Sequence, residues 1–178
     1  IIYPFMLRRT KEEVVKELPP KIENIVYCKM DEKQEEMYNK WRDYYRGTIL
    51  QQINEKGFAR SKIKVLEGLT KLRQISIHPK MIEPDYKHSS GKFDHLLDII
   101  EDITQEDHKV LIFSQFVKML RIIQENLDKE QHPYSYLDGK TKKRQEQINN
   151  FQENPSIRIF LISLKAGGTG LNLTAADY

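Results

Sequence analysis

The sequence has 178 residues, of which 39% are hydrophobic and 31% are charged, and its formal net charge is +3. This length and balance are typical of a soluble globular domain, with or without an insertion. The absence of an apolar run of about 18 residues and of a signal-peptide pattern predicts no membrane segment and no export. The single Cys28 excludes an internal disulfide, and five scattered histidines without zinc spacing predict no metal site.

The first half of the chain is predicted to be mainly helical. A short alternating strand is predicted over 22–28, and Asp31 follows at a position suited to a helix N-cap. Two apolar faces at helical spacing come next, one made of Met37, Trp41, Tyr44, Tyr45 and Thr48, the other of Val65, Leu66, Leu69 and Leu72. The aromatic residues are interpreted as core, or as a contact with a neighbouring domain, rather than as a base-stacking platform. Residues 78–91 contain prolines, serines and a glycine and are predicted to be a linker or hinge.

The second half alternates apolar strands with amphipathic helices. Strands are predicted at 110–113, 134–137 and 157–164, and a helix is predicted over 141–151. Two further amphipathic helices are predicted. The first begins at Lys92, and its predicted core face is Phe93, Leu96, Leu97, Ile100 and Ile103. The second follows the first strand, and its predicted core face is Phe116, Leu120, Ile123 and Leu127. Strands without polar alternation, separated by helices, predict an α/β fold with a parallel sheet covered by helices on both faces.

Three loops follow the predicted strands, at Ser114-Gln115, at 138–141 and at 163–172. Because ligands bind beyond the carboxyl ends of parallel strands, all three loops are expected to present polar groups to one rim. The third loop contains three glycines but is neither a Walker A motif nor a dinucleotide fingerprint. Lys165, Thr169 and the exposed glycine amides favour contact with phosphate, and a tight turn without a ligand is the alternative.

A run of cations lies at the predicted start of the helix over 141–151. Lys140, Lys142, Lys143 and Arg144 fall within five residues, where the helix dipole disfavours positive charge. An anion lying across this turn would explain the arrangement, and a solvated helix face is the alternative.

Six segments, in this order and spacing, resemble the second half of the motor of the Swi/Snf family, which are ATP-dependent double-stranded DNA translocases of helicase-like superfamily two. The segments are FMLRRTKEEVVKELPPK (5–21), LRQISIHPKMI (72–82), SGKF (90–93), VLIFSQFVKML (110–120), YLDGKTKKRQEQINNF (136–151) and LISLKAGGTGLNLTAAD (161–177). Residues 30–71 match least well and resemble the variable helical protrusion of the family. Ser76-Ile77 stand where many relatives have Cys-Asn, so a polar contact made there in relatives is not carried over.

The resemblance implies contacts with DNA and with a nucleotide. The residues implied to lie at the DNA backbone are Ser114 and Gln115 of the fourth helicase motif, Gly139, Lys140 and Thr141, then Ser163, Lys165, Gly167, Gly168 and Thr169 of the fifth motif, and Lys92. Gly170 and Asn172 are implied to approach the ribose of ATP. The glycine stretch would therefore contact the DNA backbone on one side and the nucleotide on the other.

The resemblance also implies that the ATP-binding and catalytic groups are divided between two lobes. ATP and Mg would be bound mainly by a missing first lobe, which in the family carries the phosphate loop and the acidic Mg box, while the arginine finger follows beyond Tyr178. No catalytic residue is therefore predicted within this chain, and the isolated chain is expected to be inactive. The implied domains are a linking segment and strand that join the first lobe at 1–29, a helical protrusion and hinge at 30–90, and a second RecA-like lobe, truncated at its C-terminus, at 91–178.

The function implied is that of the second motor lobe of a Swi/Snf-type translocase. Its partners would be double-stranded DNA, bound without sequence preference, the first lobe of the same polypeptide, and a nucleoprotein substrate, with no membrane. The alternatives are the second lobe of a strand-separating helicase, against which Arg8-Arg9-Thr10 and the helical insertion argue, and a non-catalytic phosphate-binding α/β interaction module. Because the sequence has no chromatin-reader feature, a bacterial cytoplasmic location at the nucleoid is predicted, with a nuclear location as the alternative for a eukaryotic source.

Overall fold

The structure is a computed structural model that describes residues 22–168 and 170–178. These residues form a helical hairpin, followed by a small parallel sheet with helices packed on it. The helices are α1 (Glu32–Lys56), α2 (Phe58–Ile77), α3 (Gly91–Gln105), α4 (Val117–Lys129), α5 (Arg144–Glu153) and α6 (Leu164–Gly167), with a 3-10 turn at Pro79–Met81. The strands are β1 (Val110–Ser114), β2 (Tyr134–Leu137) and β3 (Ile159–Ser163). Within this described part, no helix is both long and apolar enough to span a membrane.

Helices α1 and α2 form an antiparallel hairpin. The predicted N-cap is confirmed, since the Asp31 carboxylate accepts a hydrogen bond from the Gln34 amide at 2.7 Å. Gly57 alone joins the two helices, and its φ of +78° is a conformation that favours glycine. At the other end of the hairpin the buried Gln34 side chain donates to the Ile75 carbonyl at 2.8 Å, so α2 is tied back to the start of α1.

The covered faces of this hairpin differ in part from those predicted. Met37 and Tyr45 of the first face are buried as predicted. The prediction for the second face is wrong at Leu66 and Leu69, which are 63% and 54% exposed. Helix α1 covers the opposite side of α2, where Ser61, Gly68 and Ile75 are buried. Leu66 and Leu69 therefore stay exposed, whereas Val65 and Leu72 of the same stripe are half-buried.

The strand predicted over 22–28 is also wrong. Residues 22–31 are irregular, and Ile22, Ile25, Val26 and Tyr27 are exposed. The sheet of the described residues contains β1, β2 and β3 alone, so this segment has no neighbouring strand to pair with. An alternating pattern forms a strand only where another strand supplies the hydrogen-bond partners.

Residues 78–90 join the hairpin to the sheet and are tied down by buried polar groups. The buried Ser90 hydroxyl donates to the Ile77 carbonyl at 2.8 Å and accepts from the Phe93 amide at 3.3 Å, which caps α3. The buried His78 ring accepts the Lys80 amide at 3.1 Å, and burial, helped by the charge of Lys80, lowers the pKa of this histidine. These bonds set the position of α3 relative to the hairpin.

The three strands pair in parallel in the order β1-β3-β2, so that β3 is central. Every residue of β3 is buried. Ile159 and Leu161 pack into the larger core with α3 and α4, whereas Phe160 and Ile162 pack on the opposite face with Phe151 of α5. Successive side chains of a strand point to opposite faces, so a continuous apolar strand requires cover on both. The predicted parallel sheet with two covered faces is confirmed.

Helix α5 begins later than predicted. It starts at Arg144 rather than at 141, because residues 138–141 form a turn in which the Thr141 hydroxyl accepts from the Asp138 amide at 2.9 Å. Lys140, Lys142 and Lys143 therefore precede the helix, and only Arg144 lies in its first turn. Lys143 is the N-cap residue, so the helix-dipole reason for an anion applies to Lys143 and Arg144 but not to Lys140 and Lys142, which lie farther from the helix end.

Candidate functional site

An open groove of about 420 Å³ lies at the carboxyl ends of the three strands, and we call it the strand-end groove. Residues from all three predicted loops line it, together with side chains of α4: Gln115, Val117, Lys118, Arg121, Asp138, Gly139, Lys140, Ser163 and Lys165. The loops meet because parallel strands end at the same edge of a sheet. The predicted common rim is therefore present in the structure.

Positive side chains dominate the strand-end groove. Arg121, Lys140 and Lys165 are exposed, and their side chains make no hydrogen bond or ion pair with the described residues. Lys118 instead donates to the Met81 carbonyl at 3.0 Å. The rest of the cation run lies outside the groove lining, and Lys143 pairs with Glu146 at 2.9 Å. Three cations with unused donors suit a ligand that carries several phosphates.

Asp138, the acidic residue of the groove lining, organises the loop after β2. Its buried carboxylate accepts from the Lys140 amide at 2.8 Å, the Tyr136 hydroxyl at 3.0 Å and the Thr141 hydroxyl at 3.2 Å. Burial would raise the pKa of this carboxyl, but these hydrogen bonds outweigh burial and lower the pKa below its ordinary value. Burial together with the bond to Asp138 raises the pKa of Tyr136 to about 12. The Asp138 carboxylate is thus hydrogen-bonded within its own loop, and the Thr141 hydroxyl is one of its donors.

Replacing Asp138 with alanine is expected to lower the free energy of unfolding by about 2–4 kcal/mol at neutral pH, because three donors lose an ionised acceptor. Since folding lowers the pKa of Asp138, its contribution is complete above the unfolded value of about 3.9 and is lost as pH falls through the folded pKa. Urea unfolding of wild type and Asp138→Ala should therefore show its full difference above about pH 4, and the two should converge only as pH falls further, through the lowered folded pKa of Asp138. Asp98→Ala, at an exposed position whose side chain has no hydrogen-bond partner among residues 22–168 and 170–178, is the control. A difference for Asp138→Ala that persists at low pH would contradict the assignment.

The loop after β1 connects the strand-end groove to the hairpin. The Ser114 hydroxyl accepts from the Phe116 amide at 3.1 Å, so it shapes the turn into α4. Gln115 is exposed in the groove, and its side-chain oxygen accepts from the Arg73 guanidinium of α2 at 2.7 Å. Of the two predicted contacts, Gln115 alone presents its side chain to the groove.

The glycine stretch after β3 contains a single helical turn, α6. The buried Ser163 hydroxyl accepts from the Ala166 amide at 3.3 Å and caps this turn, so Ser163 borders the groove but its hydroxyl is occupied. Gly167 packs against the sheet, where an added Cβ would lie 2.9 Å from Ile162 and 3.0 Å from Phe113. Gly168 is exposed and has a right-handed φ of −70°. Thr169 lies outside the described residues, and its predicted role stays a prediction.

The remaining predicted residues lie outside the strand-end groove lining. Gly170 is exposed with a φ of +65°, a conformation that favours glycine. Asn172 is exposed, and its carbonyl accepts from Gln152 at 3.3 Å while its side-chain amide has no partner among the described residues. Lys92 is exposed in the first turn of α3.

Sequence reasoning missed Arg73 and Arg121, which lie at or beside the groove, and it did not predict the partner of Arg144. Arg73 holds Gln115, Arg121 lines the groove, and Arg144 donates to the Ala166 carbonyl at 2.9 Å, which joins α5 to α6. A signal existed for Arg121, which lies on the polar side of α4 immediately after the buried Met119 and Leu120. No sequence pattern indicated the partners of Arg73 and Arg144, because each contact joins elements that are distant in the chain.

Comparison with protein families agrees with this architecture. Residues 1–81 match the family model described as SNF2-related domain, and residues 91–178 match that described as Helicase conserved C-terminal domain. Chromodomain-helicase-DNA-binding protein 1-like from Mus musculus is 36% identical over 99% of this chain, and the chain covers 20% of that protein. The chain thus spans about a fifth of the length of this curated relative.

Two solved structures from Sulfolobus solfataricus share the fold. The SWI2/SNF2 ATPase C-terminal domain is 35% identical with a TM-score of 0.74, covering 85% of this chain and 67% of that one. The SWI2/SNF2 ATPase core in complex with dsDNA is 34% identical with a TM-score of 0.78, covering 99% of this chain and 38% of that one. These matches confirm the RecA-like fold and the resemblance seen in the sequence. The chain therefore belongs to the SWI2/SNF2 family, and its residues 91–178 match the helicase C-terminal domain model.

Proposed function

We propose that this chain supplies the second motor lobe of an ATP-dependent translocase on double-stranded DNA. Residues 91–178 would be the lobe itself, 30–90 its helical protrusion and hinge, and 1–29 the segment that links it to a first lobe. The strand-end groove carries this proposal, because α4 and the segments that follow β2 and β3 place Arg121, Lys140 and Lys165 on one open surface. The related Sulfolobus solfataricus core was solved in complex with dsDNA, which supports the substrate.

The residues implied to contact DNA fall into two groups: those that face the strand-end groove or leave their backbone exposed, and those whose hydroxyls are hydrogen-bonded within their own loops. Lys140, Lys165 and Gln115 present side chains to the groove, and the exposed Gly139 and Gly168 leave their backbone accessible. The hydroxyls of Ser114, Thr141 and Ser163 are occupied within their own loops. We therefore assign direct phosphate contacts to the first group, and loop-shaping roles to the second group and to Gly167, which packs on the sheet. Lys92 stays a separate candidate for a backbone contact.

We infer that ATP binds between this lobe and a first lobe, with Gly170 and Asn172 near the ribose. An added Cβ at Gly170 would meet no atom within 4 Å, and the side-chain amide of Asn172 has no partner in the described part of the chain, so this surface leaves room for a nucleotide sugar. No group of three His, Cys, Asp or Glu side chains within 22–168 and 170–178 could hold a metal ion. We propose that the Mg ion that accompanies ATP is held mainly by the first lobe.

A protein with this role works where the DNA of the cell lies, in a nucleoid or a nucleus. The relatives described above come from Mus musculus and Sulfolobus solfataricus and give no support to a bacterial origin in particular. The mouse relative is named for a chromodomain and for DNA binding. We propose a nucleoprotein as the substrate on which the intact motor acts.

The test is duplex binding and ATP hydrolysis by the purified 178-residue chain. We expect two unrelated duplexes of equal length to bind with affinities within about threefold of each other, because phosphate contacts carry no base information. Binding should weaken steeply with salt as counterions are released. ATP hydrolysis should be absent with or without DNA, because phosphoryl transfer needs phosphate cradle, metal ligands and arginine finger together.

Four outcomes would contradict parts of this proposal. A strong preference for one duplex sequence would argue against phosphate recognition. Preference for a forked or single strand would favour a strand-separating helicase, and salt-independent binding would favour a non-catalytic interaction module. DNA-stimulated ATP hydrolysis by the chain alone would show that the catalytic groups are not divided between two lobes.

A further inference from the structure

A second groove, of about 430 Å³, lies between α1 and α2, and we call it the hairpin groove. It shares no lining residue with the strand-end groove. Its apolar part is formed by Trp41, Tyr44 and Tyr45 of α1. The function proposed above uses none of these residues.

The three aromatic rings form a fixed apolar surface. Trp41 stacks on Tyr45 with ring centres 5.8 Å apart and meets Tyr44 edge-on at 5.9 Å. Tyr45 is buried, its hydroxyl donates to Glu67 at 2.9 Å, and its ring lies against Gly68. Tyr44 is 56% exposed. Large apolar side chains that are rigid and partly exposed are typical of binding surfaces rather than of solvated helices.

The charges around these rings are unbalanced towards positive. Lys64 lies 3.0 Å from Glu67 and 5.4 Å from the centre of the Tyr45 ring. Glu67 therefore already serves Lys64 and the Tyr45 hydroxyl, and hydrogen bonds from both lower its pKa. Lys40 and Lys71 also line the groove, and neither forms an ion pair with a described residue. The charge of Lys71 also acts on Glu67, but one carboxylate faces three lysines, so the apolar floor is flanked by net positive charge.

We propose that the hairpin groove binds an acidic peptide segment of a partner protein. One large apolar side chain of the peptide lies against Trp41 and Tyr44, and carboxylates on either side of it meet Lys40 and Lys71. Aromatic floors with charged rims provide this kind of recognition, in which apolar contact supplies affinity and charge supplies orientation. Nucleic acid is the less suitable ligand, because Trp41 already stacks on Tyr45 and duplex bases are not accessible for stacking.

Trp41 is the single tryptophan of the chain, so its fluorescence reports on this groove alone. The probe is a capped peptide Asp-Glu-Glu-Leu-Phe-Glu-Glu-Asp, titrated into the 178-residue chain at low salt. We expect a saturable fluorescence change, and Lys40→Glu with Lys71→Glu should weaken binding at least about tenfold through like-charge repulsion. Arg60→Glu with Lys62→Glu, at exposed sites on the same hairpin outside the groove, should leave affinity within about twofold.

A second variant separates binding from folding. Tyr44→Ala removes an exposed ring and should weaken peptide binding at least about fivefold while the circular dichroism of the hairpin is unchanged. The same peptide with lysine at every acidic position should not bind. Absence of a saturable signal, or equal affinity in wild type and both groove variants, would overturn the proposal. Binding of oligo-dT that the same variants abolish would also overturn it, because it would assign the groove to nucleic acid.

Discussion

Replacing Arg121, Lys140 and Lys165 together with alanine is expected to lower the affinity of the chain for duplex DNA by roughly 10²–10³-fold at about 0.1 M salt. These side chains are exposed, have no partner among the described residues and share one groove. Each phosphate contact contributes about 0.9 to the slope of log affinity against log salt, so three lost contacts should reduce that slope by about 2.7. Fluorescence anisotropy of a labelled duplex over a salt series measures both quantities.

The matched control removes the same charge elsewhere. Arg46, Lys56 and Lys129 are exposed and lie outside the strand-end groove, so their replacement with alanine should change the salt slope far less. Both triple variants should unfold within about 0.5 kcal/mol per site of wild type, because the positions are on the surface. Equal loss of affinity in the two variants would mean that binding follows overall charge, and the groove would not be the DNA site.

The Gly167→Val substitution is expected to destabilise the chain by about 3 kcal/mol. An added Cβ would lie 2.9 Å from the Ile162 side chain, which is fully buried in β3 and cannot move aside. The Phe113 ring, 3.0 Å away and 47% exposed, can yield only by turning towards solvent. Urea unfolding followed by circular dichroism measures the loss. Duplex affinity should fall as well, because displacing α6 moves Lys165 out of the groove.

Gly168 provides the comparison within the same stretch. Its φ is −70°, and the nearest atom to an added Cβ is the Leu164 carbonyl oxygen at 3.5 Å. Gly168→Ala should therefore unfold within about 0.5 kcal/mol of wild type, or be slightly stabilised. If Gly168→Ala lost as much stability as Gly167→Val, packing against the sheet would not be the reason for glycine at 167.

Several features of the fold were predictable because they depend on residues close together in the chain. The unbroken apolar run of β3 allows only a strand covered on both faces, and β2 was predicted over the same four residues that form it. Asp31 was recognisable as a cap because its carboxylate needs only an amide three residues ahead. Gln115, Gly139, Lys140 and Lys165 could be assigned to one rim because a parallel sheet places its strand ends together.

The amino-acid sequence by itself determined the three strands of the sheet, which loops meet and to which family the chain belongs, because periodicity and motifs are local properties. It did not determine the fate of residues 22–28, which form no strand because no neighbouring strand of the described residues pairs with them. Only the tertiary structure decided that Leu66 and Leu69 of α2 are exposed, since a helical stripe is buried only where a second surface covers it. It also decided that Ser163 caps a helix and that Gly167 is needed for packing. The tertiary structure also placed Arg121 in the strand-end groove and Arg73 within hydrogen-bonding distance of Gln115. The direction of a side chain depends on neighbours that lie far away along the chain.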